Sequence, residues 1–224
     1  MNNKEKLMDY NNKVAQANTD LKNLLDAIKT LPETDGGGGK YAPRYISFNG
    51  YTGTDLNEEL TNNIDTSNIT NMSRMFANCF NLTELNVSTM DTSNATDMSY
   101  MFAGSQSNGP KYTSLDLSNF NTSSVVNMDS MFWECRKVLE LDLSNFDFSK
   151  VTSVTTMFAG CRALMKLDIR TLDYTVNLSN AYTNMMFQNV PSGCLVIVKD
   201  EANKAWIQSA GPQLTVKTVA ELEG

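Results

Sequence analysis

The sequence contains no histidine, which removes the commonest general base, the Ser-His and Cys-His nucleophile pairs and most catalytic zinc sites in one step. Basic residues are also scarce: 18 Lys and Arg stand against 25 Asp and Glu, a formal net charge of -7 over 224 residues. Phosphate backbones are bound by clustered cations, so no nucleic-acid partner is expected. Long apolar runs are missing. No stretch approaches the roughly 18 consecutive apolar residues of a membrane span, so none is expected to cross one. Met1-Asn2-Asn3-Lys4-Glu5-Lys6 leads into mixed polar sequence, so no secretory leader is expected either. In a reducing cytoplasm the four cysteines would stay as thiols. With 41% apolar residues, 12 Gly and 5 Pro, the chain is neither fibrous nor disordered and can bury a substantial core.

What is present is repetition, the feature to read before local propensity. Asp65-Thr66-Ser67-Asn68 recurs as Asp91-Thr92-Ser93-Asn94, Asn121-Thr122-Ser123-Ser124, Asp147-Phe148-Ser149-Lys150 and Asp173-Tyr174-Thr175-Val176. The steps are 26, 30, 26 and 26 residues. Met-Phe doublets keep the same period at 75–76, 101–102, 131–132 and 157–158, and less regularly at 186–187. The longer step reflects a four-residue insertion within Gly104 to Ser114, a stretch rich in turn formers.

Each unit carries two periodicities. Its first half spaces apolar residues like a short helix, as in Ile69, Met72, Met75, Phe76 and Cys79, with Asn71, Asp97, Asn127 and Ser153 as N-cap residues. Its second half alternates like a strand, as in Leu82-x-x-Leu85-x-Val87-x-x-Met90 and Val138-x-x-Leu141-x-Leu143-x-x-Phe146. Two helical turns and a three-residue strand cannot hide their apolar sides alone, so the units must stack. The expected fold is an α/β repeat: a leucine-rich-repeat-like solenoid over 65–190 with a short parallel sheet. Caps are expected over 41–64 and 191–224, the latter with a strand at 195–198, a helix from 200 to 209 and a last short strand at 214–216. Strand spacing of about 4.8 Å makes five coils a body about 25 Å long.

The unit Asp-Thr-Ser-Asn-x-Thr-x-Met-Ser-x-Met-Phe-x-x-Cys-x-x-Leu-x-x-Leu-x-Leu-Ser-x-Phe, carried by residues 65–172, resembles the BspA-like leucine-rich-repeat family of bacterial surface proteins. The resemblance implies adhesion or protein binding and no catalysis. Export signals and wall or lipid anchors, usual in that family, are not visible here; Leu31-Pro32-Glu33-Thr34 lacks the Gly and the apolar tail of a wall-sorting signal.

Residues 1–34 read as a stalk. Leu7, Val14, Leu21 and Ile28 form one heptad column and Tyr10, Ala17, Leu24 and Leu31 the other, an a/d seam expected to pair with further copies as a dimer or trimer. Such a helix spans about 37 Å and is marginal alone. Packing on the chain's own repeats is the alternative, but Pro32 and the glycine-rich tether at 35–40 separate the two.

Within the repeats Cys79, Cys135 and Cys161 share a column and read as buried thiols, and no metal or cofactor is expected. Outward strand positions Asn86, Asp116, Asp142 and Asp168, flanked by Glu84, Ser114, Glu140 and Lys166, form an acidic ridge. The ridge is either a solvated face or a site for a basic surface or divalent cation. Tyr100, Trp133 and Phe148 stand where other units carry small or polar residues, so they are candidate projecting anchors. The expected function is a non-enzymatic binding and display module. A stalk joined by glycines to a compact head looks like a bacteriophage virion fibre or decoration protein, contacting other virion proteins and a protein or glycan receptor on a host or mucosal surface. A bacterial cell-surface adhesin is the alternative. A glycan-cleaving enzyme using paired carboxylates is the remote one, since that chemistry needs no histidine.

Overall fold

The computed structural model describes residues 47–51, 53–54, 56, 65–173 and 185–224. The stalk heptad, the glycine tether and most of the N-terminal cap lie outside the described residues. Successive repeat units are laid side by side in chain order. Phe48, Phe76, Phe102, Phe132, Phe158 and Phe187 form a ladder with ring centroids 5.6–5.9 Å apart and planes within 4–14° of parallel. Met72, Met75, Met98, Met101, Met128, Met131, Met157 and Met186 are fully buried around it. The doublets thus line up along a common axis.

Among the described residues of the repeats, the expected short helices are absent. Over residues 71–80, and at the equivalent places in later units, the backbone makes consecutive tight turns. The cause lies in how the amides are shared. Alternate N–H groups, of Met72, Arg74, Phe76 and Asn78, donate along the stack to the carbonyls of Asp97, Ser99, Met101 and Ala103. The amides between them, of Met75 and Ala77, close four-residue turns onto the Met72 and Arg74 carbonyls. An α-helix would spend all of these donors within itself. Two turns placed end to end reproduce the i, i+3, i+4 spacing of buried side chains that a helix also gives, so periodicity alone could not separate them. The turns require left-handed backbone, which Arg74, Asn78, Tyr100, Ser130, Glu134 and Thr156 supply at φ of 53–58°. The N-cap column therefore works differently: Asn71, Asp97 and Asn127 accept, through Oδ1, the amide two residues on, and they pair along the stack as isolated parallel bridges ending at Ser153.

A four-stranded parallel sheet runs in the order β1 (Glu140–Asp142), β2 (Lys166–Asp168), β3 (Leu195–Val198), β4 (Thr215–Thr218). Leu141, Leu167, Val196 and Val216 are in register and buried. Units one and two do not form the strands expected of them: Leu85 and Leu115 point inward, but their segments share only single backbone bonds with the next unit, Lys111 N–H to the Leu82 carbonyl and Leu139 N–H to that of Thr113, beside side-chain bonds from Asn119 and Asn145. The closing segment follows its expected pattern, with β3, helix α1 (Glu201–Ala210) and β4, then a four-residue helix α2 (Ala220–Glu223). Asp200 caps α1 by accepting the Asn203 amide.

A buried threonine column seals the turns between units. Thr66 Oγ1 donates to the Asp91 carbonyl and accepts the Asp91 amide, and Thr92 and Thr122 repeat this with Asn121 and Asp147. Phe148 occupies the next place in that inward column. It is 4% exposed and packs on Phe146 at 6.0 Å, so it is a core residue and not a projecting anchor.

Tyr112 stands in the core column of Leu82, Val138 and Leu164, buried, with no strong hydrogen-bond partner for its hydroxyl among the described residues. Its polar neighbour is the Cys135 sulfur, a weak acceptor whose own proton goes to the Phe102 carbonyl. Removing an enclosed unpaired hydroxyl relieves its desolvation penalty. Tyr112→Phe is therefore expected to raise stability by about 1 kcal/mol, read as a higher urea midpoint at unchanged slope; a lower midpoint would mean that the hydroxyl has a favourable partner.

Candidate functional site

The acidic column is built by the turn after each strand position. Asn86, Asp116, Asp142 and Asp168 each accept, through Oδ1, the amide two residues downstream. Such Asx turns are a local use for a short side chain with an oxygen acceptor. The acid therefore has a structural duty that Asn86 performs equally well without charge. Hydrogen bonds from Ser118 and Ser144 hold the Asp116 and Asp142 carboxyls below their ordinary 3.8. Asp116 and Asp142 are exposed and line a shallow depression of about 150 Å3 with Ser118, Ser144 and Asn145. Glu140, at the start of β1, is exposed beside them.

Asp168 departs from the expected free ridge. It is 4% exposed, and the Arg170 guanidinium grips both its oxygens, with Nη2 2.5 Å from Oδ2. Sequence spacing placed it in the column correctly and shows Arg170 where the three earlier units carry Ser88, Ser118 and Ser144, but not that this arginine closes over the carboxylate. Among the described residues, no group of three or more Cys, Asp or Glu is placed to hold a metal ion.

The three column cysteines are buried and unpaired, each thiol donating to a carbonyl of the unit before: Cys79 to Phe48, Cys135 to Phe102 and Cys161 to Phe132, all at 3.1 Å. Burial pushes Cys79 and Cys135 up from 9.0 to about 12. These are inert thiols, since the thiolate is the reactive form.

Tyr100 and Trp133 are brought together. Their rings meet edge to face at 6.5 Å, and the Arg74 guanidinium lies 4.2 Å from the Tyr100 centroid. Both aromatics are part-exposed. The result is a cation-aromatic ledge across the first three units, and Arg74 is its member that the sequence reading missed. Its column, Arg74, Tyr100, Ser130, Thr156, could have pointed to it.

Two further features were not anticipated. Leu139 and Met165 are exposed at 43% and 66% and are consecutive along the stack, joined by the Met165 amide to the Leu139 carbonyl. The same column carries Thr83 and Thr113 in earlier units, so the switch from threonine to an apolar side chain was legible. The other is Glu134, a buried carboxylate held by Arg136 at 2.7 Å and Arg162 at 3.7 Å. A Cβ on Gly160 would meet the Glu134 carboxyl carbon at 2.4 Å, so the glycine one unit on makes its room. Arg136 also donates to the carbonyls of Gln106 and Ser107, fastening the inserted loop to the third unit.

Comparison with known proteins gives one family. The profile described as "Mycoplasma protein of unknown function, DUF285" matches residues 46–172, which cover the repeats. No curated protein and no solved structure matches the chain. The chain belongs to the DUF285 family, the BspA-like Mycoplasma repeat family.

Proposed function

We propose that this member of the DUF285 family is a non-enzymatic binding and display module, a leucine-rich-repeat-like solenoid head carried on an oligomerising N-terminal stalk. The observation that carries the reading is the contrast between columns. Inward positions repeat almost unchanged, whereas outer ones change chemistry from unit to unit: exposed Arg74 and part-exposed Tyr100 give way to a covered Ser130 hydrogen-bonded to Thr156 in one column, and Thr83 and Thr113 give way to exposed Leu139 and Met165 in another. Those outer side chains that the frame does not use, Arg74, Tyr100, Leu139 and Met165 among them, are left to a partner. Aromatic and arginine side chains, the types on the ledge, dominate binding energy at interfaces. Lowered carboxyl pKa values at Asp116 and Asp142 also run opposite to what a general acid needs, which supports binding over glycan cleavage.

In the setting we favour, the module belongs to a phage virion and meets a protein or glycan receptor on a host or mucosal surface. The family's description as a Mycoplasma protein supports a bacterial setting, in which the module would act by the same mechanism as a cell-surface adhesin.

The test uses the full chain and a deletion of residues 1–31. Light scattering should give a dimer or trimer mass for the full chain and a monomer for the deletion, with unchanged cooperative unfolding of the head. Beads carrying the full chain should bind mucin or bacterial cells, and Tyr100→Ala with Trp133→Ala should lower that binding about tenfold or more. Asp116→Asn with Asp142→Asn keeps the Asx turns, as Asn86 does, and reports on charge alone. A monomeric full chain would defeat the stalk, and unchanged binding by every variant would defeat the assigned faces.

A further inference from the structure

The sequence holds two Asn-Gly pairs, Asn49-Gly50 and Asn108-Gly109. Glycine has no Cβ to shield its nitrogen, so in such pairs the backbone amide can reach the carboxamide of the preceding asparagine. The fold treats the two pairs in opposite ways. The Gly50 amide donates to the Ala77 carbonyl at 2.9 Å, one of the bonds between units, while Asn49 Oδ1 accepts Asn78 Nδ2 at 3.0 Å. Nucleophile and electrophile are both held elsewhere. At the second pair the Gly109 amide lies 3.0 Å from Oδ1 of Asn108 itself. Asn108 is exposed to water at the tip of the inserted loop, and Gly109 is fixed beneath it.

We propose that Asn108 is a site of spontaneous deamidation and that Asn49 is protected from it. Solvent base removes the Gly109 amide proton, the nitrogen attacks Cγ of Asn108, and the Cγ–Nδ2 bond breaks as ammonia leaves with a proton. Water then opens the cyclic imide at either carbonyl. The sum is amide plus water giving carboxylate plus ammonium, with aspartate or its β-linked isomer at 108. The product adds one negative charge to a chain already at -7. The β-linked isomer adds one backbone carbon to the loop. Gly109 cannot absorb it, because even a Cβ there would lie 2.3 Å from the Glu134 carbonyl. The change must fall on residues 105–108, which are closed by paired bonds between Ser105 and Asn108 and gripped by Arg136. Deamidation is thus a built-in route to loosening the loop from the third unit.

Trypsin places the two pairs on separate peptides, residues 45–74 and 75–111. The full chain is incubated in mildly alkaline buffer, folded or in urea, and both peptides are followed by mass spectrometry. In the folded chain residue 108 should gain about 1 Da at least tenfold faster than residue 49, roughly the factor that one backbone hydrogen bond is worth. The product should elute as two isomers, and in urea the two rates should converge. Asn108→Gln should abolish the gain in peptide 75–111. Equal rates in the folded chain, silence at 108 while urea shows both, or a gain that survives Asn108→Gln would each overturn the proposal.

Discussion

Phe132→Ala is expected to lower the unfolding free energy by about 3–5 kcal/mol. Its ring lies between those of Phe102 and Phe158 at 5.6 and 5.9 Å and is fully buried. Truncation removes the transfer free energy of the ring and leaves a cavity that neighbours tied by bonds between units cannot easily close. The Phe132 amide and carbonyl are both used, toward Met157 and by the Cys161 thiol. Collapse into the gap would break them. Phe132→Leu, which refills most of the volume, should recover more than half of the loss. Urea titration followed by circular dichroism measures both variants, and a loss below about 1 kcal/mol for alanine would show that the ladder is loosely packed there.

Alkaline pH should unfold the protein cooperatively before about pH 12, and the thiols should account for most of the slope. Burial raises Cys79 and Cys135 to about 12, Cys194 to about 11, and Cys161 well above 9.0. A group whose folded pKa is raised keeps its full contribution below the unfolded value and loses it as pH climbs through the folded one. The window therefore opens near pH 9. Each buried thiol removes about 1.4 kcal/mol per pH unit above that point, so the three column cysteines together remove about 4. A net stability of about 5–15 kcal/mol is exhausted within two or three units. With no histidine, side chains contribute little slope between about pH 5 and 8. Urea midpoints across pH 7 to 11 test this. Replacing Cys79, Cys135 and Cys161 together by alanine should flatten the alkaline slope by more than half, whatever it does to stability at neutral pH. An unaltered slope would locate the titrating groups elsewhere.

The repeat period, the inward columns and the closing strand, helix and strand were legible because they depend on burial, which composition patterns record directly. The turns at Met72–Asn78 were not. Left-handed residues are usually announced by glycine or asparagine, yet the positions are filled by arginine, tyrosine, serine, glutamate and threonine as well. What fixes them is the hydrogen bonding of Arg74 to Ser99 and Asn78 to Ala103, bonds to a unit about 26 residues away that no local window contains. Phe148 was misjudged for a related reason. Threonine at 66, 92 and 122 suggested a surface turn, but those hydroxyls are buried between units, so a phenylalanine in that column fills the interior. Asp116 and Asp142 were correctly placed outward, while Asp168 was hidden by Arg170, a pairing that depends on one substitution within an otherwise serine-bearing column.

The left-handed column has a consequence for how such a surface can diversify. Every ordinary side chain held at positive φ carries a local penalty on the order of 1 kcal/mol, and Tyr100, an arm of the aromatic ledge, sits at 57°. Glycine would relax the backbone at 74, 100, 130 and 156 alike and would leave each of them mute. The side chains at these positions are held against a conformational bias toward glycine. On the binding role proposed above, units without a contact are expected to drift to glycine and units with one to keep a side chain.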